Sequence, residues 1–306
     1  MGRYLLTRVA QAIVVVLGVT IVVFVVTRLI GDPVKVMLPL EATAENRAAL
    51  EAQLGLDRPI AVQFADYVSG ASRLDFGDSL WQRRPAMEIV FEKLPATFLL
   101  VFSGFGLALV VGVSLGIVAA LRPGSLLDRA MVSLSLVGLS VPQFWLGLLL
   151  IIVFSVTLGW LPTSGTGTLA HLILPAVTMA APITGRLAMM TRSAMIDELN
   201  TQHIAAAKAK GLGRVRIVGL HALKGASVAV LPLAGWELIG ALAGFSVIVE
   251  TVFAWPGLGF TAIQAIQRQD LFLLQAIVFI VALMVVIVNI IIDIVHTVID
   301  PNVRLT

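Results

Sequence analysis

Six long apolar segments constrain this chain more than any other feature of its sequence. Crossing the roughly 30 Å hydrocarbon core of a bilayer takes about 20 apolar residues in a helix. The chain has 306 residues, of which 58% are hydrophobic and 13% charged, whereas soluble domains average about 25% charged residues. We therefore predict an all-α, polytopic membrane protein with six transmembrane helices. The predicted spans are Val9 to Ile30, Thr97 to Leu121, Ala130 to Leu158, Leu172 to Met190, Val228 to Phe253 and Phe272 to Ile292.

The distribution of Lys and Arg outside these spans predicts the orientation of the chain. The segments on one predicted side together carry eleven of these cations, whereas the two short loops on the other side, residues 159–171 and 254–271, carry one. Positive residues are enriched on the cytoplasmic side of membrane proteins. We therefore predict that both termini are cytoplasmic. The cation-rich segments are residues 1–8, 122–129, 191–227 and 293–306.

The long connection between the first two spans, residues 31–96, does not have the composition of a flexible linker. Thr43 can cap a helix that runs through Leu54, Pro59 can open a second helix, and residues 87–94 have the apolar spacing of a third. We expect a small helical, extracytoplasmic insertion here. The alternative is a segment that lies on the membrane surface.

Three ionisable residues fall inside the predicted spans: Arg186, Glu237 and Glu250. A charge at mid-bilayer is costly, so such residues usually face a partner or a cavity. Glu237 and Glu250 could relay protons or line a path. Arg186 and Glu250 lie near span ends, where they could instead snorkel to the interface or form ion pairs.

Prolines and small residues inside the spans bear on how the helices pack. Pro142, Pro175 and Pro182 are expected to interrupt or kink their helices, which is tolerated at membrane depth only against protein or a water-lined cavity. Glycines at GxxxG spacing allow helices to approach closely, and we expect them to pack within one bundle. The two glycine pairs are Gly112–Gly116 and Gly240–Gly244.

Sequence motifs for catalysis and metal binding are missing. The chain has no cysteine, and its four histidines lie on separate segments without metal-ligand spacing. The dipeptide Gly-Lys never occurs, so the chain has no Walker A motif for binding ATP. We predict no catalytic residue, no metal site, no cofactor and no nucleic-acid partner. Any ATPase that drives transport must then be another polypeptide.

The predicted inner segment, residues 191–227, contains an Ala-rich run from His203 to Leu212. Alanine favours helix, Lys208 would lie near the helix C-terminus, and Gly211 would end the helix. One interpretation is a basic loop that contacts anionic lipid. The other is a short helix that docks on a partner protein.

This segment resembles the cytoplasmic coupling loop of permease subunits in binding-protein-dependent ABC importers, especially the dipeptide/oligopeptide/nickel branch. The resemblance rests on two runs, His203–Gly211 and His221–Ala226, and on marks in the same order over some 270 residues. The further marks are Gly31-Asp32-Pro33, Gln53 to Pro59, Asp75-Phe76-Gly77, Leu94 to Thr97, Ser140 to Trp145, Trp160-Leu161-Pro162, Ile173-Leu174-Pro175, Phe253 to Gly259 and Asp300-Pro301.

The chain departs from the pattern of this branch at four positions within the loop. Ala205 and Ala206 stand where the branch often has Arg-Thr, and Lys224 and Gly225 replace its usual Arg-Asn. These changes remove side chains that could contact the ATPase or brace the loop.

The resemblance implies a type I importer permease fold and an assembly. Residues 1–30 would form the cytoplasmic N-terminus and first span, residues 31–96 the extracytoplasmic region, and residues 97–299 a five-helix core with coupling loop 191–227. The implied partners are a second homologous permease subunit, two cytoplasmic ATP-binding subunits and an extracytoplasmic solute-binding protein, in the plasma (inner) membrane of a prokaryote. The residues implied to contact the ATPase are His203, Ala205, Ala206, Ala207, Lys208, Lys210, Gly211 and Leu212.

The function predicted from these observations is an importer subunit that forms half of a translocation pathway. Di- or oligopeptides are the solutes that the resemblance most often implies, although nickel and glutathione-like solutes use similar permeases. From polarity and position we expect Phe144, Trp145 and Glu237 to line the pathway. The alternative is a proton-coupled secondary transporter that uses Glu237 and Glu250, and a third possibility is a passive channel or a structural subunit.

Overall fold

A computed structural model describes residues 2–30, 34, 43–53 and 55–299, and within these ranges the chain is almost entirely helical. The β feature found there is an isolated antiparallel bridge between Asp78 and Pro85. The prediction of an all-α protein is confirmed.

The sequence marks at residues 31–33 and 300–301, and Leu54, lie outside the described residues. The helices are α1 Gly2–Ile30, α2 Ala44–Gln53, α3 Ile60–Ser72, α4 Ala86–Ala120, α5 Leu126–Ser140, α6 Gln143–Thr157, α7 Leu169–Leu199, α8 Gln202–Ala209, α9 Arg214–Val252, α10 Leu258–Gln267 and α11 Leu271–Ile299.

Four of these helices, α4, α7, α9 and α11, are long and apolar enough to cross a membrane. Helices α5 and α6 qualify as a pair, and the chain bends by 103° between them. In α1, Ile13–Thr27 is the part whose side chains the structure describes without a gap, and this part is apolar but shorter than a full span. The described residues thus support four spans, or five if the bent pair counts as one, and the expected total of six stays a prediction.

Prolines have different effects at the bend and in α7. Pro142 begins α6 after Val141, which has extended dihedral angles, because a residue before proline is disfavoured in the helical region. The expected interruption at Pro142 is therefore confirmed. Pro175 and Pro182 lie inside α7 without interrupting it.

The Thr178 carbonyl of α7 accepts a hydrogen bond from outside the helix, because Pro182 has no N–H to donate to it. Proline lacks an N–H, so the Thr178 carbonyl four residues earlier has no partner in the helix. The side-chain amide of Gln143 at the start of α6 donates to this carbonyl at 3.5 Å. The bend at Pro142 therefore positions the Gln143 amide to donate to the Thr178 carbonyl of α7.

The chain divides into two compact units. The N-terminal unit comprises residues 1–97 and 256–287, and the core unit comprises residues 98–255 and 288–306. Within the core unit, α7 packs against α5, α6 and α9. Met179, Ile183 and Leu187 of α7, spaced four residues apart, are fully buried. This spacing puts them on one face of the helix, which forms the centre of the core unit.

Two glycines of α4 allow close contact with α7 inside the core unit. A Cβ at Gly116 would lie 2.6 Å from Cβ of Thr191 and 2.7 Å from the Ala188 carbonyl oxygen, and one at Gly112 would lie 3.0 Å from Cβ of Leu187. The expectation that this pair packs within one bundle is confirmed. The second pair differs, because a Cβ at Gly244 would contact nothing within 4 Å.

The helices of the N-terminal unit follow the predicted starts but not all of the predicted ends. The Thr43 hydroxyl accepts from the Asn46 N–H at 3.3 Å at the start of α2, and Pro59 immediately precedes α3. The expected third helix at residues 87–94 is not separate, because α4 continues through Pro95 for 35 residues, or about 52 Å. Ile89 before Pro95 and Leu100 after it are fully buried. Tertiary burial on both sides outweighs the one hydrogen bond that proline removes.

Candidate coupling segment and buried ion pairs

The segment predicted to couple transport to ATP hydrolysis folds as a short helix that one buried side chain anchors. Helix α8 spans Gln202–Ala209. Ile204 is fully buried and packs in an apolar cluster with Met195 of α7 and Ile217 of α9. Sequence reasoning did not single out Ile204, although it is the one large aliphatic residue in this Ala-rich helix.

Most of the predicted contact residues of α8 lie on its outward surface. His203, Ala205, Ala206 and Lys208 are exposed, whereas Ala207 is half-buried against the apolar cluster. Alanine side chains are short, so a partner surface can approach the backbone of α8 closely. The two departures from the branch pattern, Ala205 and Ala206, therefore lie on the exposed face and leave the anchor of α8 unchanged.

The C-terminal end of α8 is a hydrogen-bonded Schellman turn centred on Gly211. Gly211 has φ +75°, a left-handed conformation that favours glycine. Its N–H donates to the Lys208 carbonyl at 3.0 Å, and the Leu212 N–H donates to the Ala207 carbonyl at 3.3 Å. Leu212 then packs on the same cluster as Ala207. The predicted helix end at Gly211 is confirmed.

The N-terminal end of α8 is tied to the end of α7. The Thr201 hydroxyl donates to the Glu198 carbonyl at 2.7 Å, and His203 Nε2 lies 3.0 Å from Glu198 Oε1. The Glu198 carboxylate also lies against Gly225 of α9, where a Cβ would overlap it. Gly225, which replaces an asparagine of the branch pattern, therefore leaves room for the carboxylate that contacts His203.

The surface around α8 is cationic. Five exposed cations there form no ion pair with any residue that the structure describes. Such a surface attracts an acidic partner and steers its approach. The five residues are Lys208, Lys210, Arg214, Arg216 and Lys224.

A cavity of about 530 Å³ lies beside α8 in the core unit. Leu199 and Ile217 supply apolar walls, and Lys208 and Arg214 supply charged groups. The cavity forms a depression in the surface around α8, into which a side chain of a docking protein could fit.

An ion pair joins the start of α5 to the cytoplasmic end predicted for α7. Arg192 contacts Asp128 in a bidentate arrangement, with Nη2 2.8 Å from Oδ2 and Nε bonded to Oδ1. The Gly124 N–H donates to the same carboxylate at 2.8 Å. Sequence analysis missed this pair. The signal was available, because both residues flank predicted spans on the same predicted side.

A second bidentate pair lies within the core unit and joins α7 to α9. Arg186 Nη2 donates to Glu237 Oε2 at 2.6 Å, and Nε donates to Oε1. The Glu237 side chain is 7% exposed and that of Arg186 is 32% exposed. The Arg186 guanidinium also lies 5.9 Å from the centre of the Phe245 ring. Arg186 was expected either to snorkel to the interface or to form an ion pair, and the structure contains the ion pair.

The two aromatic residues predicted to line the pathway lie on α6 in the core unit. Phe144 and Trp145 are on α6, directly after the bend, and are 51% and 47% exposed. Glu237 is on α9. That these three residues line the pathway stays a prediction.

Glu250 is fully buried near the end of α9, so it does not snorkel to a surface. Among the described residues, no group of three or more His, Asp or Glu side chains could hold a metal ion.

Comparison with known proteins identifies the family. Residues 112–305 match the family described as the inner membrane component of binding-protein-dependent transport systems, and residues 1–101 match the N-terminal part of such a membrane component. The chain belongs to this family. The family resemblance seen in the sequence marks is therefore confirmed, and the chain is a permease subunit of an ABC importer.

Relatives match this permease over nearly its whole length. A protein of Brucella abortus (strain 2308) named as a peptide transport system permease is 38% identical over 313 residues, with 99% of each chain covered. A protein of Salmonella choleraesuis (strain SC-B67) named as glutathione transport system permease GsiC is 36% identical over 305 residues, again with 99% of each chain covered.

A solved structure confirms the importer permease fold. An inward-facing form of the MetNI methionine ABC transporter matches with a TM-score of 0.59 and 21% identity, covering 70% of this chain and 97% of that one. A second inward-facing form matches with a TM-score of 0.54. Family and fold together establish a multi-pass membrane permease component that works with an ATPase and a binding protein.

Proposed function

We propose that this permease forms half of the translocation pathway for small peptides in an ATP-driven importer. The other half would be a second homologous permease subunit, with two cytoplasmic ATP-binding subunits and one extracytoplasmic solute-binding protein. The relatives named for peptide and glutathione transport support this cargo class, because both solutes consist of amide-linked amino acids. Both termini would be cytoplasmic, residues 31–96 extracytoplasmic, and residues 97–299 the transport core.

The geometry of α8 is the observation that supports coupling through loop 191–227. Helix α8 is anchored by Ile204, ended by Gly211 and surrounded by exposed cations that have no ion-pair partner among the described residues. A short helix of this kind can seat in a groove of the ATPase subunit. The proposed contact residues are those that the family resemblance implied: His203, Ala205, Ala206, Ala207, Lys208, Lys210, Gly211 and Leu212.

Movement of α8 would pass directly to two transmembrane helices. Ile204 packs on α7 and α9, and Glu198 of α7 lies between His203 and Gly225. When the ATPase subunits close on ATP, displacement of α8 would therefore move the ends of α7 and α9 together. Coupling requires that ATP and cargo each bind the two states of the importer unequally.

We also propose that Phe144, Trp145 and Glu237 line the translocation pathway, from α6 and α9. Phe144 and Trp145 supply exposed aromatic surface on α6. Glu237 would act through its pair with Arg186. Protonating this carboxylate would break a bidentate ion pair, which disfavours the proton-carrier alternative.

Site-specific crosslinking tests the docking of α8. The chain contains no cysteine, so single-cysteine variants need no further substitution. We expect Ala206→Cys in the assembled importer to form a disulfide with a cysteine placed in the groove of the ATPase, in a yield that changes with ATP. Leu169→Cys, which is 83% exposed at the other end of α7, is the matched control. Equal yields at both positions would contradict the proposal.

Competition for uptake tests the cargo class. Proteoliposomes that contain the complete importer should take up a radiolabelled dipeptide when ATP is present. Unlabelled dipeptides and tripeptides should compete, whereas nickel should not. Competition by nickel without competition by peptides would overturn the proposed cargo and leave the coupling mechanism intact.

A further inference from the structure

A cavity of about 400 Å³ lies in the N-terminal unit and has no part in the proposed coupling. Phe24 of α1, Gln63 and Tyr67 of α3, Phe76 and Phe272 form part of its wall. Cavities of roughly 300–1,000 Å³ with apolar walls and a few polar groups are typical of sites for small organic molecules.

Two sequence marks that coupling does not explain meet at this cavity. The mark at residues 53–59 supplies Gly55 and Arg58, and the mark Asp75-Phe76-Gly77 supplies all three of its residues. Gly55 and Gly77 have φ values of +67° and +83°, so each places a left-handed turn in the wall. These turns bring the polar groups of both marks to one space.

Two buried polar atoms in residues that line the cavity have no hydrogen-bond partner within the described part of the chain: Gln63 Oε1 and the Tyr67 hydroxyl. Gln63 Nε2 donates to the carbonyls of Leu56 at 3.0 Å and Arg58 at 2.7 Å, which fixes the amide so that Oε1 must be an acceptor. Burial raises the pKa of Tyr67 to about 12, so the phenol stays neutral. Buried polar groups are almost always satisfied, and a ligand would satisfy these two.

The charged groups of the cavity favour a cation. Arg58 pairs with Asp66 at 3.2 Å, which leaves Asp75 without an ion-pair partner among the described residues. Asp75 Oδ1 accepts from the Gly77 N–H at 3.0 Å, so its carboxylate is held in place. One excess negative charge, a free acceptor and the aromatic walls suit an ammonium group, which donates hydrogen bonds and is attracted to aromatic faces.

We propose that this cavity binds the ammonium group of a small organic molecule. Gln63 Oε1 and the Tyr67 hydroxyl accept its N–H groups, Asp75 supplies the opposite charge, and the phenylalanine rings contact its carbon chain. Alkylamines and peptide amino termini share this chemistry. The site does not depend on the proposed coupling mechanism or on the transported cargo.

Calorimetric titration of the full-length chain in nanodiscs tests the ligand class. We expect n-butylammonium and dialanine to bind, and 1-butanol and N-acetyl-dialanine to bind at least about tenfold more weakly, because they lack the cation. Binding of dialanine without n-butylammonium would narrow the ligand to a peptide amino terminus. Equal binding of the neutral compounds, or no binding of any compound, would overturn the proposal.

Two variants locate the binding and separate it from a structural role. Tyr67→Phe should weaken n-butylammonium binding about fivefold, the value of one hydrogen bond, without lowering the unfolding temperature, since it removes an unpaired hydroxyl. Asp75→Asn keeps an acceptor for Gly77 and should weaken binding at least about tenfold. Asp57→Asn, an exposed carboxylate outside the cavity, should bind normally. Unchanged affinity in both cavity variants would overturn the site.

Discussion

The buried part of the core unit and the segment around α8 use their cations differently. Arg186 and Arg192 each form a bidentate pair with a carboxylate of the same chain, and those carboxylates, Glu237 and Asp128, are 7% and 4% exposed. Lys208 and Lys210 are exposed and form no ion pair with any residue that the structure describes. A buried charge is costly unless it is paired, whereas a surface charge remains hydrated.

This difference distinguishes residues that hold the helices together from residues that are available to bind another protein. The buried pairs join α7 to α5 and to α9, so they stabilise the arrangement of this chain's own helices. The cations around α8 contribute little to that arrangement and remain available to an ATPase. Substitutions at the buried pairs should therefore mainly lower stability, whereas substitutions at the cations around α8 should mainly weaken coupling.

The largest expected effect on stability comes from breaking the pair between α7 and α9. Glu237→Ala leaves the Arg186 guanidinium without its carboxylate and should destabilise the chain by roughly 3 kcal/mol, the lower end for a buried pair because Arg186 is 32% exposed. Thermal unfolding of the reconstituted chain measures the loss.

The double variant Arg186→Leu with Glu237→Leu is the matched control. It removes both charges, so it should recover most of the stability; ATP-driven uptake should persist at a reduced rate, because the Glu237 carboxylate is lost from the pathway. Recovered stability without any uptake would mean that Glu237 does more than pair, and would favour the proton-carrier alternative.

The anchor of α8 should have the next largest effect. Ile204→Ala removes a fully buried side chain and should cost about 2 kcal/mol, because the apolar cluster loses its contact with α8. ATP hydrolysis by the complex should then lose its stimulation by the binding protein. Leu220→Ala truncates an exposed aliphatic residue of α9 and should change neither quantity. Equal loss of stimulation in both variants would contradict the role of the anchor.

Two neighbouring glycines distinguish a requirement for a left-handed backbone from a requirement for room around the residue. A Cβ at Gly211 or at Gly213 would meet nothing within 4 Å, but Gly211 has φ +75° and Gly213 has φ −64°. Gly211→Ala should therefore cost about 1 kcal/mol and reduce uptake, whereas Gly213→Ala should be neutral. If both variants transport normally, the end of α8 does not need the Schellman turn.

The smallest effect on stability is expected at the exposed cations. Lys208→Glu combined with Lys210→Glu should change stability by less than about 0.5 kcal/mol, since neither side chain is buried or paired with a described residue. Binding to the ATPase, measured by co-purification at low and high salt, should nevertheless fall sharply. The charge-preserving variant Lys208→Arg with Lys210→Arg should bind normally. Normal binding by the glutamate variant would remove these cations from the docking surface.

Local rules predicted the parts of the fold that depend on neighbouring residues. The apolar segments, the cap at Thr43, the break at Pro142 and the helix end at Gly211 follow from hydropathy, side-chain hydrogen bonding and allowed dihedral angles. The same rules gave a separate helix at residues 87–94, whereas α4 continues through Pro95, because burial on both sides of the proline outweighs its local preference.

The sequence by itself determined that this chain is a helical membrane protein, that it belongs among importer permeases, and where α8 begins and ends, because these depend on composition and short-range order. Only the tertiary structure decided that Arg186 pairs with Glu237 and that Ile204 anchors α8. It also brought Gln63, Tyr67 and Asp75 to one cavity. Such contacts join residues that are distant in sequence or that differ only in the direction of a side chain, and no local pattern fixes which of them meet.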